Sequence, residues 1–370
     1  MKVAVFGSYA PSLWLFRAPM MRAMVAAGHE VTGLAPNGDQ ALIDNLASIG
    51  VAYRHVPLGR TGLNPLEDLR SLLAIRAALK DLRPDVLLSY TIKPVIYGSY
   101  AASMVGVPHC HAMVTGLGSS LMGEGFKRKC MAALSKWLYR RGLSGIEGVF
   151  FQNPDNRAFF EKHRLLPATC RITQINGSGV DLAQFPFTPQ AAPPLTFLLV
   201  GRVTREKGIM EFVEAARRLK AKHPGTRFHL LGGYDTNPSA ISKSQVQAWV
   251  DEGTIEYLGT VKDVRPMLSA AQVVVLPSYG EGTPRSVLEA MAMGRAVVTT
   301  LAPGCKETVI EGQTGFLVPT RNVEALAEAM ERFITDPGLA IRMGAAGRAY
   351  AEEKYDVDKV NAVILKALGL

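Results

Sequence analysis

Short apolar runs alternate with segments of helical periodicity along the whole chain, and this alternation restricts the fold more than any other feature. The runs predicted as strands are Val3–Phe6, Glu30–Leu34, Val86–Ser89, Gly148–Phe151, Thr196–Val200, Arg227–Leu231, Ile255–Leu258, Val273–Leu276 and Ala296–Thr300. Largely apolar strands separated by helices are typical of parallel sheets that carry helices on both faces. The pattern therefore predicts an α/β protein built on parallel sheets.

The length of the chain predicts two domains. At 370 residues the chain exceeds the size of one ordinary hydrophobic core. The Pro-rich segment Phe185–Pro194 is typical of a linker, so we place the boundary at 186/187. Ligands of open parallel sheets bind beyond the carboxyl ends of the strands, and candidate site residues are therefore sought there.

Composition limits the partners. The four cysteines are scattered without a C-x-x-C pair, which argues against a zinc site and a disulfide framework. The formal charge of +9 suggests an anionic partner. Residues 94–123 lack charged side chains, but prolines and glycines interrupt them, so no membrane span is expected. Met1–Gly7 lacks the basic and apolar regions of a signal peptide.

The sharpest local pattern is Leu276–Gly294. An apolar strand ends at Pro277, a glycine-containing loop follows, and a helix is predicted to begin near Pro284. The N-terminus of that helix would attract an anion such as a diphosphate. Glu281 in the loop and Glu289 inside the helix could accept hydrogen bonds from sugar or ribose hydroxyls. The alternative is a solvated pair of surface glutamates.

A second pattern occupies Phe197–Gly208. A strand ends at Gly201, and Arg202, Arg205 and Lys207 follow it before the next helix. Cations in this position suit the neutralisation of a departing diphosphate. A basic loop alone is common, but both patterns occur at strand ends of the same predicted domain.

These two patterns together resemble the retaining glycosyltransferases of family 4, which have the GT-B fold. The resemblance rests on Gly201-Arg202 with Lys207-Gly208, and on Glu281 and Glu289 following Leu276-Pro-Ser. It implies two Rossmann-like domains whose parallel sheets face each other across a cleft. It also implies that the last helix crosses back, giving domains of 1–186 with 355–370 and of 187–354.

The same resemblance implies roles for individual residues. Arg202 and Lys207 would bind the donor diphosphate and act with Glu281, which contacts the transferred sugar. Glu289 would bind the ribose hydroxyls. The remaining donor-binding residues are expected to be Gly201, Val261 in the turn that holds the base, and the loop residues Gly282, Thr283, Pro284 and Arg285.

Other enzyme classes fit the sequence less well. Neither half has G-x-G-x-x-G after its first strand and no P-loop is present, so a nicotinamide dehydrogenase is not expected. The single D-x-D, Asp356-Val-Asp358, is typical of a helix cap. We therefore expect neither a metal nor a cofactor, with a UDP-sugar serving as co-substrate.

Three segments resemble a narrower branch of the family. Tyr90–Ser99, the loop 114–118 and Glu281–Gly294 are similar to enzymes that build capsule, O-antigen or glycoprotein oligosaccharides on undecaprenyl diphosphate, including N-acetylgalactosaminyltransferases that act on lipid-linked bacillosamine. The implied acceptor is a polyprenyl-diphosphate saccharide. The candidate acceptor or phosphate residues are Gly7, Arg17, Lys93, His111, Thr115 and Gly116. Arg17 and Lys93 could equally be surface residues, and His109 and His111 could be structural.

A basic segment with aromatic residues lies at 126–141. Its membrane candidates are Lys127, Arg128, Lys129, Lys136, Trp137, Arg140 and Arg141. A basic amphipathic helix of this type is typical of an anionic membrane surface. The alternative is a core-packing helix with a solvated outer face. Nucleic acid is not expected, because no recognised module accompanies the segment.

We therefore predict a UDP-sugar-dependent, retaining glycosyltransferase of the GT-B fold at the cytoplasmic face of a bacterial plasma membrane. It would transfer an N-acetylhexosamine to an undecaprenyl-diphosphate-linked saccharide. One rival is a GT-B epimerase or hydrolase that acts on the sugar nucleotide itself. Another is a catalytically silent protein that binds sugar nucleotides or serves as a membrane adaptor.

Overall fold

A computed structural model describes residues 1–59, 64–117, 126–235, 237 and 239–370, with the backbone alone for 126–128. The chain divides into two compact units, Met1–Ser178 with Val357–Leu370, and Gly179–Asp356. The first boundary therefore follows Ser178 rather than residue 186, and the second follows Asp356 rather than residue 354.

The first unit is a seven-stranded parallel sheet with helices between the strands. Its elements are β1 (Lys2–Phe6), α1 (Ala18–Ala26), β2 (Glu30–Ala35), α2 (Gln40–Ala47), β3 (Val51–His55), α3 (Pro65–Leu82), β4 (Val86–Tyr90), α4 (Ser99–Val105), β5 (His109–Val114), α5 (Phe126–Gly142), β6 (Gly148–Phe151), α6 (Pro154–Lys162) and β7 (Arg171–Gln174). The strand order is β3-β2-β1-β4-β5-β6-β7.

The second unit is a six-stranded parallel sheet. Its elements are β8 (Thr196–Val200), α7 (Ile209–Lys222), β9 (Arg227–Leu231), α8 (Lys243–Asp251), β10 (Glu256–Tyr257), α9 (Arg265–Ala270), β11 (Val273–Leu276), α10 (Arg285–Ala292), β12 (Ala296–Thr300), β13 (Gly315–Val318), α11 (Val323–Thr335) and α12 (Leu339–Tyr350). The strand order is β10-β9-β8-β11-β12-β13. The predicted pair of Rossmann-like domains is confirmed.

The chain ends in α13 (Val357–Leu368), which belongs to the first unit. Its residues Val360, Ile364 and Leu368 recur at a helical spacing and are buried in one core with the methionines of α1. That core covers one face of the first sheet. The other face packs against α3, α4, α5 and α6, so both faces are buried, as the apolar strands require.

The Pro-rich segment predicted as a linker is bound to the second unit. Phe185 is buried in that unit's core. Arg295, which is fully buried, donates hydrogen bonds to the carbonyls of Thr188 and Pro189. An arginine needs many acceptors when it is removed from water, and the backbone of this segment supplies them. The segment between Phe185 and Pro194 is therefore fixed to the second unit and is not a flexible linker.

No helix among the described residues is both long and apolar enough to cross a bilayer.

Candidate active site

Three loops meet at the carboxyl edge of the second sheet. They follow β8, β11 and β12, which are neighbours in a parallel sheet and therefore end at the same edge. The loop after β8 carries Lys207, and the loop after β11 carries Glu281. The structure thus brings the two sequence patterns together.

Lys207 and Glu281 form an ion pair at this edge. Lys207 Nζ lies 2.5 Å from Glu281 Oε1, and both side chains are largely shielded from water. Ser278 Oγ donates to the same carboxylate oxygen at 2.6 Å. The backbone N–H of Glu281 donates to the carbonyl of Pro303 at 2.9 Å. A carboxylate held by two donors and by its own backbone is fixed in position, which suits the orientation of a bound hydroxyl.

Two glycines allow these loops to approach each other. Gly208 has φ of +71°, and a Cβ there would lie 2.0 Å from the carbonyl oxygen of Pro277. Gly304 has φ of +80°, and its Cβ would lie 2.3 Å from the carbonyl oxygen of Glu281. Any side chain at either position would push the loops apart, since these contacts are to backbone atoms.

The helix α10 begins directly after the Glu281 loop. Arg285, in its first turn, donates from Nε to Glu289 Oε1 at 2.7 Å. Glu289 is buried, and burial raises the pKa of its carboxyl group while Arg285 opposes that shift. Gly282, Thr283 and Pro284 lead into the helix. The first N–H groups of α10 point toward this loop, as at any helix start.

Arg202 does not join the ion pair of Lys207 and Glu281 but pairs with Asp235, and its side chain is half exposed. It follows Gly201, whose backbone N–H donates to the carbonyl of Leu231. Val261 lies exposed in the turn after β10. Nothing in the local sequence marks Asp235, whereas Ser278 belongs to the Leu-Pro-Ser run that precedes Glu281.

The first unit places a second group of candidates at the carboxyl edge of its own sheet. Gly7 follows β1, Thr91 follows β4, and Thr115 with Gly116 follows β5; these three strands are neighbours. Ser8 Oγ and Thr91 Oγ1 are 2.9 Å apart. Thr91 has φ of +67°, which is strained for a β-branched residue. Residue 118, at the end of the loop 114–118, lies outside the described residues.

Arg17 is held beneath this edge. It is buried, its guanidinium lies 4.7 Å from the centroid of the Tyr90 ring, and it donates to Ser178 Oγ at 3.0 Å. Burial raises the pKa of Tyr90 to about 12, so its hydroxyl stays neutral and bonds with Ser12 Oγ at 2.7 Å. Arg17 is therefore not a surface residue.

The other two candidates of the first unit are Lys93, which follows β4, and His111, which lies within β5. Lys93 Nζ is bound to Asp68 at 2.7 Å, with both side chains nearly buried, and Tyr97 donates to the same carboxylate. His111 pairs in register with Gly148 within the sheet, before the carboxyl end of β5. Its burial lowers its pKa to about 4. Lys93 is thus already neutralised, and His111 is separated from Thr115 and Gly116 by the end of the strand.

The basic segment forms α5, with one side in the core. The side chains of Lys127 and Arg128 lie outside the described residues. Arg140 donates to the carbonyls of His163 and Arg164, while Lys136 lies over the ring of Phe159. The side chains exposed on this helix include Lys129, Trp137 and Arg141, together with Met131 and Leu134.

Among the described residues, no group of three histidine, cysteine, aspartate or glutamate side chains is placed to hold a metal ion.

Comparison with known proteins extends over the whole chain. A family model described as "Glycosyl transferase 4-like domain" matches residues 17–205, and one described as "Glycosyl transferases group 1" matches residues 194–336. Among solved structures, sucrose-phosphate synthase from Thermosynechococcus elongatus has a TM-score of 0.78 at 18% identity, covering 99% of this chain and 98% of that one. Anabaena HepE in complex with UDP and glucose has a TM-score of 0.77 at 18% identity, covering 100% and 99%.

The two parallel-sheet units are those of the GT-B class of glycosyltransferases. More particularly, the chain belongs to the glycosyl transferase 4-like family. A curated relative is 28% identical over 99% of this chain and 98% of its own length. It is the N,N'-diacetylbacillosaminyl-diphospho-undecaprenol alpha-1,3-N-acetylgalactosaminyltransferase of Campylobacter jejuni.

Proposed function

We propose that this glycosyltransferase moves an N-acetylhexosamine from a UDP-sugar to an undecaprenyl-diphosphate-linked saccharide, with retention of configuration at the anomeric carbon. The observation that carries the proposal is the Lys207–Glu281 pair at the start of α10. A cation and a helix N-terminus stabilise a diphosphate leaving group, and a fixed carboxylate orients sugar hydroxyls.

In the proposed reaction, an acceptor hydroxyl oxygen bonds to the anomeric carbon as the bond from that carbon to the diphosphate oxygen breaks. The proton of the hydroxyl passes to the departing diphosphate on the same face. Lys207 and the first N–H groups of α10 stabilise the negative charge that develops there. Glu281 and Glu289 hold the transferred sugar and the ribose, so the protein contributes mainly by positioning.

Arg202 is proposed to bind the diphosphate by exchanging its present partner, Asp235, for the donor. The pair is half exposed on the arginine side, and exposed ion pairs are weak. The exchange therefore costs little. Gly201, Val261 and the loop of Gly282, Thr283 and Pro284 complete the proposed donor site.

Support for the acceptor comes from the Campylobacter jejuni relative, whose name specifies a saccharide on diphospho-undecaprenol. In the first unit, we propose that Arg17 binds the acceptor diphosphate, since it lies beneath the carboxyl edge on the ring of Tyr90, whose hydroxyl reaches Gly7. Thr115 and Gly116 lie at the same edge. Lys93, bound to Asp68, and His111, inside the sheet, are not part of this proposal.

The lipid chain of such an acceptor would bring the enzyme to a membrane surface, and we propose a peripheral position on the cytoplasmic face of the plasma membrane. The basic side chains of α5, among them Lys129, Lys136, Arg140 and Arg141 beside Trp137, would face anionic lipid, which attracts each nearby cation by about 1 kcal/mol.

The test is turnover with a panel of UDP-, GDP- and dTDP-sugars, with and without a short polyprenyl-diphosphate-linked aminosugar. We expect UDP release from one UDP-N-acetylhexosamine only when the acceptor is present, and loss of that release in Glu281→Ala and Lys207→Ala. Release or rearrangement of the donor without acceptor would instead indicate a hydrolase or epimerase. Binding without turnover, with biological function retained in Glu281→Ala, would indicate a silent adaptor.

A further inference from the structure

The helix α3 exposes a row of leucines. Leu66 is 70% exposed, and Leu69 and Leu73 are each 53% exposed. Their spacing of three and four residues places them on one side of the helix. The opposite side carries Ile75 and Leu79 into the core. An exposed apolar row of this kind is not needed for the packing of α3.

The two neighbouring helices continue the apolar surface. α4 packs beside α3 and α5 packs beside α4, and all three contribute buried residues to the same core. Their solvent-exposed sides therefore lie on the same side of the first sheet. α4 exposes Tyr100 and Met104, and α5 exposes Met131, Leu134 and Trp137. We call the outer side of these helices the α3–α5 face.

No other surface of the described residues exposes as many large hydrophobic side chains on neighbouring elements. The helices α1, α2 and α13, on the other side of the same sheet, expose one large hydrophobic residue, Val363, and a smaller group of three, Tyr9, Leu15 and Phe16, follows β1. In the second unit such residues occur singly, as Phe187, Tyr234, Val261, Leu301 and Ile341. Single exposed hydrophobic residues are ordinary, whereas a contiguous patch marks an interaction surface.

The charges on the α3–α5 face indicate what kind of partner it binds. α4 contains no charged residue, and the described side chains of α5 include cations but no acid. On α3, Asp68 is bound to Lys93 and Asp81 to Arg54. The exposed cations Arg70, Arg76 and Lys80 outnumber the one further acid of this helix, Glu67, which is also exposed. Two copies of such a face would repel each other, whereas an anionic bilayer surface offers both negative charge and an apolar interior.

We propose that the α3–α5 face docks on an anionic bilayer, with Leu66, Leu69 and Leu73 inserted as the apolar anchor and the cations of α5 at the headgroups. The inference rests on the proposed lipid-linked acceptor for its setting. It goes beyond the basic segment of α5, because α3 contributes the most exposed apolar side chains.

The experiment is co-sedimentation of the full chain with phosphatidylglycerol–phosphatidylcholine vesicles and with phosphatidylcholine vesicles. The test variant combines L66Q, L69Q and L73Q, since the helix propensity of glutamine is close to that of leucine. The matched control combines I341Q and V363Q, which are comparably exposed but lie outside the face. We expect binding to anionic vesicles, lowered about 100-fold or more in the α3 variant and unchanged in the control.

The inference would be overturned if the wild-type chain did not bind anionic vesicles, or if the α3 variant bound them as well as the control does. A change from dimer to monomer in the α3 variant, measured by sedimentation velocity, would also overturn it, because the face would then join two copies. Turnover of a short-chain, water-soluble acceptor is measured in parallel. Its loss in all chains would contradict the proposed function, whereas its retention with failed vesicle binding would contradict only the docking face.

Discussion

Replacing Gly208 with alanine tests whether the loops at the carboxyl edge of the second sheet must touch. The left-handed backbone at Gly208 would cost an alanine about 1–2 kcal/mol. In addition, the new Cβ would lie 2.0 Å from the carbonyl oxygen of Pro277, so the loops after β8 and β11 would have to separate. Overpacking of this kind costs about 1–3 kcal/mol more.

The matched control is Gly253→Ala in the same unit. Gly253 has φ of +72°, and an added Cβ there would meet no atom within 4 Å, so it shares the backbone cost without the contact. We expect urea unfolding to show a loss of about 1–2 kcal/mol in the free energy of unfolding for Gly253→Ala. For Gly208→Ala the loss should be about 1–3 kcal/mol greater.

Turnover should separate the two variants further. Displacing a catalytic group by about 1 Å can lower a rate about 100-fold, and Lys207 directly precedes Gly208. We therefore expect Gly208→Ala to lose about that factor in acceptor-dependent UDP release, whereas Gly253→Ala keeps the wild-type rate. Equal stability and equal turnover in the two variants would refute the contact between the loops as the basis of the site.

Three further outcomes are expected. Lys207→Ala should lower turnover by about 10²–10³-fold, whereas Lys222→Ala, which removes a surface cation of the same unit, should not; equal rates would contradict the assignment. Ile364→Ala should lower the free energy of unfolding by about 2–5 kcal/mol, and its exposed neighbour Val363→Ala by much less, both measured in urea. His111 is neutral in the fold because burial lowers its pKa to about 4, so its contribution to stability is full above about pH 6.5, the ordinary pKa of histidine, and is lost as pH falls toward 4. Between about pH 7 and pH 5 this loss should be about 2 kcal/mol, and His111→Gln should remove it; an unchanged pH dependence would contradict the assignment.

The sequence predicts the strands at the centre of each sheet better than those at the edges. β1, β4, β8 and β11 are apolar throughout or nearly so, because both of their faces are covered. β3 and β7 lie at the ends of the first sheet and carry polar residues, so their periodicity is weak. β13, an edge strand of the second sheet, is also absent from the strands that the sequence predicts.

Some of the site residues could likewise be placed from the sequence, and others could not. Lys207 and Glu281 could be paired from sequence, because each follows a recognisable strand and parallel strands end together. Lys93 could not be placed, since its partner Asp68 is on a helix whose packing the sequence does not specify. The position of His111 required knowing where β5 ends, and the histidines at its start obscure the strand pattern.

The position of α13 after the second unit has a consequence for folding during synthesis. α13 completes the core of the first unit, yet the ribosome makes it after the whole second unit. During translation the side of α1 that packs against α13 therefore stays uncovered until α13 is made, although all seven strands of the first sheet are already available. Nascent chains of this protein should depend on chaperones until then, since exposed apolar surface promotes aggregation.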